Sequence, residues 1–265
     1  MIRQRLSPWR RTVFICALTT VFSFSFLSPI FIQQAQAQNI FDRIGRMFNN
    51  SRGEGNASGR SRGGATRSQC SQIDSKNLIA LVPNSTEGLT TQEYPQFWFY
   101  LPFGGSSQSP PAKFRLLNEQ KKSVLTKPLL LSLPEKKGIA SISLPSTEKP
   151  LLIGQRYHWY FNITCVNDMG MNTKISVDGW IKRVEATSGL LQQIKHIGHQ
   201  QQYVPYVENN IWYEAVSQLA KSRVPHQQEW ANFLSLFKLE ELANSPIYEL
   251  KLQADIPDQE LSQKK

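Results

Sequence analysis

The sequence contains few of the residues that bind metals. It has three cysteines and four histidines among its 265 residues. His196 and His199 have a spacing compatible with a metal site, but no cysteine or aspartate lies beside them and the nearest acidic residue is Glu208. Protein zinc sites use three or four such ligands. We therefore expect no bound metal and interpret the two histidines as part of an ordinary surface loop.

The sequence also lacks convincing enzyme motifs. A hydrolase-type triad would need its serine on a strand-turn-helix elbow, and the pattern predicts no such elbow near His158. The five glycines of residues 53–64 have no strand pattern before them and no helix pattern after them, so they do not form a phosphate-binding loop. Adjacent carboxylates such as Glu240 and Glu241 fit ordinary surface charge. We predict that the protein is not an enzyme and uses no cofactor.

The first 37 residues are typical of a secretory signal peptide. Four arginines precede residues 12–32, which carry no charge, and small residues follow at Ala35 and Ala37. We predict cleavage between Ala37 and Gln38, a periplasmic or secreted location, and no stable membrane span after cleavage. The uncharged stretch is also long enough for the alternative of an uncleaved membrane anchor.

Export determines the chemistry of the cysteines. Cleavage would remove Cys16 and leave Cys70 and Cys165 in a compartment that oxidises thiols. We therefore predict one disulfide between them. A crosslink that closes a loop of roughly 100 residues is worth about 4 to 5 kcal/mol in the chain-entropy model.

Positive charge is concentrated after the predicted cleavage site. Residues 38–265 hold 26 basic and 20 acidic side chains, a net charge of +6, and residues 38–70 alone contribute +4. Residues 51–68 are rich in Gly, Ser, Arg and Asn, so we predict that residues 38–69 form a disordered linker. An electrostatic tether to an anionic surface is the alternative, although the compartment disfavours nucleic acid as a partner. Ile40, Ile44 and Met47 also have the spacing of a short amphipathic helix.

Short apolar runs separated by turn residues follow over residues 70–186. Seven runs have the length of strands, namely 78–82, 97–101, 112–117, 124–133, 139–144, 155–165 and 173–184. In the run 155–165, apolar and polar residues alternate, so Trp159 and Cys165 belong to the core face and His158 to the wet face. This pattern predicts a seven-stranded antiparallel β-sandwich. The fold class is therefore mainly β plus α.

The apolar period changes from two to about 3.6 residues after Thr187, which predicts helices in residues 187–251. The clearest candidates cover 190–197, 211–219 and 230–237. Trp212, Ala215 and Leu219 resemble the core of one tetratricopeptide hairpin. A single hairpin cannot cover its own apolar face, so we expect it to dock on the sandwich. We predict that residues 252–265 form a disordered tail.

The segment from Leu151 to Trp159 resembles the entry of the penultimate strand in fibronectin type III and immunoglobulin-like domains. Gly154, Tyr157 and Trp159 carry this resemblance. It implies structural roles for all three residues. In particular, it implies that the Tyr157 hydroxyl bonds to upstream backbone and closes the corner between two sheets.

Several strings together resemble a cyanobacterial family of exported proteins catalogued as domain of unknown function nine-two-eight. They include Pro95-x-Phe97-Trp98, Gly154-x-x-Tyr157-x-Trp159, Gly179-Trp180-Ile181 and Asn209-x-Ile211-Trp212. The resemblance covers roughly residues 70–250. It implies an exported protein that keeps Cys70 and Cys165, and it implies no activity.

Two functions remain open. The first is a protein-interaction or accessory module that binds another envelope or secreted protein through a sheet edge or the helical hairpin around Trp212. The second is a module that binds peptidoglycan or exopolysaccharide, in which Tyr160 together with Trp98 or Tyr100 stacks on sugar rings. A flat, solvent-facing row of aromatic rings would favour glycan, and a buried row would favour a protein partner.

Overall fold

The structure is a computed structural model that describes residues 40–49, 60–65, 78–85, 87–102, 104, 111–166 and 171–253. Several predictions fall elsewhere in the chain. The signal peptide of residues 1–37, Cys70, the side chain of Cys165 and residues 254–265 of the tail lie outside the described residues. The disulfide between Cys70 and Cys165 therefore stays a prediction.

The described residues contain ten strands in two sheets. The strands are β1 Arg60–Ala65, β2 Ile79–Ala80, β3 Glu87–Thr90, β4 Gln96–Leu101, β5 Ala112–Asn118, β6 Leu129–Leu131, β7 Gly138–Ser143, β8 Arg156–Val166, β9 Asn172–Arg183 and β10 Ile247–Glu249. We assign β3, β9, β8, β5 and β6 to the first sheet and β1, β2, β4, β7 and β10 to the second. Every run that the sequence pattern predicts as a strand contains one.

The prediction of a purely antiparallel, seven-stranded sandwich needs correction. β3 pairs with β9 in parallel, and β10 pairs with β7 in parallel, so both sheets are mixed. β3 escapes prediction because Leu89 is its one large apolar residue. Gly88 of β3 permits a close approach to the helix Trp212–Lys221, since a Cβ atom at Gly88 would lie 2.9 Å from the Tyr213 ring.

The two sheets are joined at both edges. On one side β1 pairs with both β2 and β9. On the other side, the residues that follow β10 pair with the region of β6. The Ser132 amide donates to the Lys251 carbonyl at 3.0 Å, and the Gln253 amide donates to the Leu130 carbonyl at 2.8 Å. The described end of the predicted tail is therefore paired.

The predicted disordered linker of residues 38–69 is ordered in two places. Residues 40–49 form helix α1, in agreement with the apolar spacing of Ile40, Ile44 and Met47, and residues 60–65 form β1. Long-range pairing explains β1, which has little apolar content of its own. The other residues of this linker lie outside the described part of the chain.

Aromatic side chains fill the space between the sheets. Phe97 and Phe99 of β4 face Phe114 of β5 and Phe161 of β8, with ring centroids 4.8 Å apart for Phe97–Phe114 and 4.5 Å for Phe99–Phe161. Trp159 packs edge-on against Phe99 at 5.7 Å. Large buried rings in such arrangements supply much of the apolar burial that stabilises a β-rich core.

Four further helices follow the last strand of the first sheet. They are α2 Ser188–His196, α3 Tyr203–Glu208, α4 Trp212–Lys221 and α5 Gln227–Ser235. The Thr187 hydroxyl accepts a hydrogen bond from the Leu190 amide at 3.1 Å and caps α2. The sequence pattern does not predict α3, because most of its side chains are buried and no amphipathic period results. Among the described residues, no helix has the length and apolar character needed to cross a membrane.

The helices cover the outer face of the second sheet. The Trp98 indole of β4 donates to the Ser217 hydroxyl of α4 at 2.9 Å, and the Trp212 indole donates to the Leu81 carbonyl at 2.9 Å. Phe48 of α1 packs against Trp212 with ring centroids 6.1 Å apart. The helical region therefore docks on the β structure, as expected.

Candidate functional site

Among the residues that the structure describes, no helix lies over the outer face of the first sheet. This face is formed by the outward residues of β5, β8 and β9, which alternate with core residues as strand geometry requires. We call this surface the open face and define it as Lys113, Arg115, Leu117, Arg156, His158, Tyr160, Asn162, Thr164, Asn172, Lys174, Ser176, Asp178, Trp180 and Lys182. All of these residues are partly or fully exposed.

A continuous stack of cationic and aromatic groups runs along the open face. The Arg115 guanidinium lies over the Tyr160 ring at 5.2 Å, and the Tyr160 and His158 ring centroids are 4.2 Å apart. His158 stacks on Trp180 at 4.4 Å and 15°, and the Arg156 guanidinium lies over Trp180 at 4.9 Å. Side-chain pairs on neighbouring strands and at alternate positions of one strand meet in this way. We call these five residues the cation–ring stack.

Hydrogen bonds fix the middle of the stack. His158 Nε2 lies 2.8 Å from Asp178 Oδ2, and its Nδ1 lies 2.8 Å from the Tyr160 hydroxyl oxygen. A carboxylate can only accept, so Nε2 donates to Asp178, and in the neutral ring Nδ1 then accepts from Tyr160. Burial raises the pKa of Tyr160, and the negative charge of Asp178 adds to this effect. The phenol therefore keeps the proton that it donates.

An ion pair holds one end of the stack in place. Arg156 Nε donates to Glu87 Oε2 at 3.1 Å, and its Nη2 contacts the same oxygen. The Glu87 side chain is only 5% exposed, whereas that of Arg156 is 23% exposed. Glu119 lies 3.9 Å from Nη1 of the same guanidinium. This buried carboxylate from β3 positions Arg156 above Trp180.

The open face carries unpaired positive charge. Its acidic residue Asp178 is already engaged by His158. Within the part of the chain that the structure describes, the four remaining cations of the face make no ion pair. They are Lys113, Arg115, Lys174 and Lys182. A surface of this kind attracts anionic groups through long-range electrostatics.

The Tyr160–His158–Asp178 chain has the order of a nucleophile, a base and a group that orients the base. An activated nucleophile needs a lowered pKa or a base that removes its proton. Here the pKa of Tyr160 is raised, and the phenol proton is used to stabilise the ring stack. The raised pKa of Tyr160 opposes formation of its phenolate.

The four residues predicted as a binding surface do not come together. Trp98 is 5% exposed and Trp212 is 1% exposed, because the helices and the second sheet bury both. Tyr100 is partly exposed, but it belongs to the helix-covered sheet. Tyr160 alone lies on the open face. For Trp98 and Trp212, the prediction of an exposed surface is therefore wrong.

Trp180 is the aromatic residue of this surface that sequence reasoning does not select. Its position in phase with Asp178 and Lys182 on β9 is the signal that marks it as outward-facing.

The residues predicted to have structural roles lie at the start of β8. The Tyr157 hydroxyl accepts a hydrogen bond from the Leu152 amide at 2.8 Å, which is the upstream backbone contact that the resemblance to immunoglobulin-like domains implies. Gly154 has a φ of +80°, a conformation that disfavours residues with a Cβ atom. Trp159 is buried, and its indole donates to the Tyr213 hydroxyl at 2.9 Å.

These features define a β-rich domain with a helical cover on one sheet and a charged, aromatic surface on the other. Residues 62–247 match the family model described as Domain of Unknown Function (DUF928), and the chain belongs to that family. The match begins within β1 and ends at the first residue of β10, so it includes the join made by β1 but not the join that Lys251 and Gln253 make with β6. This confirms the predicted family. No curated protein and no solved structure is significantly similar to the chain.

Proposed function

We propose that this protein is an exported, non-enzymatic binding module whose open face binds an acidic surface of another envelope or secreted protein. The cation–ring stack is the observation that carries the proposal. Its Arg115 and the neighbouring Lys113, Lys174 and Lys182 make no ion pair among the described residues, and no described element covers them. Electrostatic complementarity of this kind accelerates association and selects partners of opposite charge.

Export is part of the proposal because of the N-terminal sequence. Residues 1–37 have the charged start, the uncharged stretch and the small residues of a signal peptide. The pair Cys70 and Cys165 fits an oxidising compartment. For the fold, we keep the immunoglobulin-like comparison for the β8 entry, where the Tyr157 hydrogen bond supports it, and the tetratricopeptide comparison for α4 alone.

A protein partner is favoured over a glycan because the ring faces are occupied. His158 stacks on Trp180 at 4.4 Å, and the Arg156 guanidinium lies over the same ring at 4.9 Å. Arg115 lies over Tyr160 in the same way. Stacking on a sugar needs a free ring face, whereas a carboxylate of a partner protein can bind the exposed Arg115 guanidinium directly.

Charge reversal on the open face tests the proposal. Full-length protein with an affinity tag is produced in its native cells as the variant Lys113→Glu/Lys174→Glu. We expect the variant to be released from its periplasmic or secreted complex and to elute as a monomer in size-exclusion chromatography. The matched control Lys137→Glu/Lys195→Glu makes the same change in net charge at exposed lysines outside the face, and it should elute with the wild type. Equal behaviour of the two variants would refute the proposal.

A further inference from the structure

A polar pocket lies between α4 and the chain that enters β4. Glu214, Ser217, Gln218 and Lys221 follow one another at helical spacing and form a single stripe on α4. This stripe and the segment 92–96 line a pocket of about 270 Å³. The pocket belongs neither to the open face nor to the core between the sheets.

Glu214 is the buried acid of this pocket. It is 5% exposed. Its Oε1 accepts hydrogen bonds from the Thr90 hydroxyl at 2.5 Å, the Thr91 amide at 3.2 Å and the Gln92 amide at 3.1 Å. Its Oε2 is also buried and has no hydrogen-bond partner among the described residues. An unpaired buried polar atom is costly.

Other polar groups around the pocket are free to bind a ligand. Within the described part of the chain, the side chains of Gln92, Tyr94, Gln218 and Lys221 make no hydrogen bond or ion pair. Amide and phenol groups both donate and accept hydrogen bonds. The pocket therefore offers a dense set of groups that match neighbouring hydroxyls, which also donate and accept.

We infer that this pocket binds a small uncharged polyol of the size of a single sugar ring. The lining includes one acid and one base, Glu214 and Lys221, so it does not select a net charge. The volume lies just below the range of roughly 300 to 1,000 Å³ that is usual for sites of drug-sized ligands. It therefore suits one ring better than a chain of rings.

Saturation-transfer NMR tests the inference with a defined set of probes. The full-length gene product, purified after export, is mixed with D-glucose, D-galactose and N-acetyl-D-glucosamine. We expect saturation transfer to at least one of these sugars. In Gln218→Leu, which removes a free amide and fills space, we expect the affinity for that sugar to fall about tenfold, as the loss of one or two hydrogen bonds implies. The matched control Gln192→Leu, at an exposed glutamine of α2, should bind like the wild type.

A second variant keeps the test decisive if Gln218→Leu does not fold. Lys221→Met removes the amine in the last turn of α4, and we expect it to lower the affinity of the protein for the same sugar. Absence of transfer to all three sugars, or equal binding by the wild type and both pocket variants, would overturn the inference. The open face takes no part in this experiment, so its outcome is independent of the proposed partner protein.

Discussion

The outer faces of the two sheets are built from similar strands but differ in burial. On the second sheet, the outward Trp98 is buried and donates to Ser217 of α4. On the first sheet, the outward Trp180 is partly exposed and contacts the His158 ring and the Arg156 guanidinium. Strand alternation tells which side chains share a face. Which outer face is buried and which stays exposed depends on where the helices pack.

Replacing one tryptophan in each region should give the largest difference in stability between the two regions. We expect Trp212→Ala to lower the free energy of unfolding by about 3 to 5 kcal/mol, because it leaves a cavity beneath the helical cover. Trp180→Ala on the open face should cost about 1 kcal/mol, since its ring is partly exposed and its stacking is worth that amount. Urea unfolding followed by circular dichroism measures both. Equal losses would contradict the distinction between a structural face and a binding face.

Removing a carboxylate from Arg156 should have the next largest effect. Glu87→Ala takes away the buried partner of Arg156, and we expect a loss of about 1.5 to 3 kcal/mol, as for other hydrogen bonds to charged groups. Glu119→Ala is the matched control, because this exposed acid lies 3.9 Å from the same guanidinium. A surface ion pair of this kind contributes about 0 to 1 kcal/mol. A control loss as large as that of Glu87→Ala would show that burial of Glu87 does not hold the stack.

The stability of the folded protein should depend on pH through Glu214, a buried residue of the helical cover. Burial raises the pKa of this carboxyl above its ordinary value of 4.5, and the hydrogen bonds to its Oε1 act in the opposite direction. The folded state thus binds the proton more tightly than the unfolded state. This contribution to stability is fully present below the unfolded pKa and is lost as pH rises through the folded pKa. Glu214→Gln should therefore gain stability relative to the wild type between pH 4 and pH 8 in urea titrations. A constant difference across that range would contradict the raised pKa.

Arg115 should make the smallest contribution to stability. A cation–π contact at an exposed position is worth about 0.5 to 1 kcal/mol, so Arg115→Ala should change the unfolding free energy by no more than this. The Arg115 charge lowers the pKa of Tyr160 against the larger effect of burial. Its removal should therefore raise the pKa of Tyr160 further in an NMR titration of ¹³C-labelled tyrosine. Lys182→Ala is the control and should leave the Tyr160 titration closer to that of the wild type.

The sequence predicts what local pattern determines. The alternation in residues 155–165 predicts β8 and the outward position of Tyr160, and the 3.6-residue period predicts α4 around Trp212. The family also follows from serial motifs. What the sequence does not predict depends on distant pairing. β1 and β3 are weakly apolar, and each forms by pairing with β9.

The same reason limits prediction of the candidate site. His158 and Tyr160 are two residues apart, so their common face is evident from the sequence. Trp180 and Arg115 join them only because β9 and β5 flank β8 in a particular register, which pairs His158 with Trp180 and Tyr160 with Arg115. Burial of Trp98 likewise depends on helix placement. A sheet register of this kind is fixed by the whole fold and not by spacing within one strand.

Site-specific photo-cross-linking in the native cells tests the central claim most directly. A benzophenone amino acid replaces Lys113 on the open face or, as the control, Lys195 on α2, both of which are exposed. The account predicts one discrete protein adduct from position 113, its loss when Arg115→Glu is added, and no such adduct from position 195. An adduct from position 195 alone, or an adduct from position 113 that survives Arg115→Glu, would contradict it.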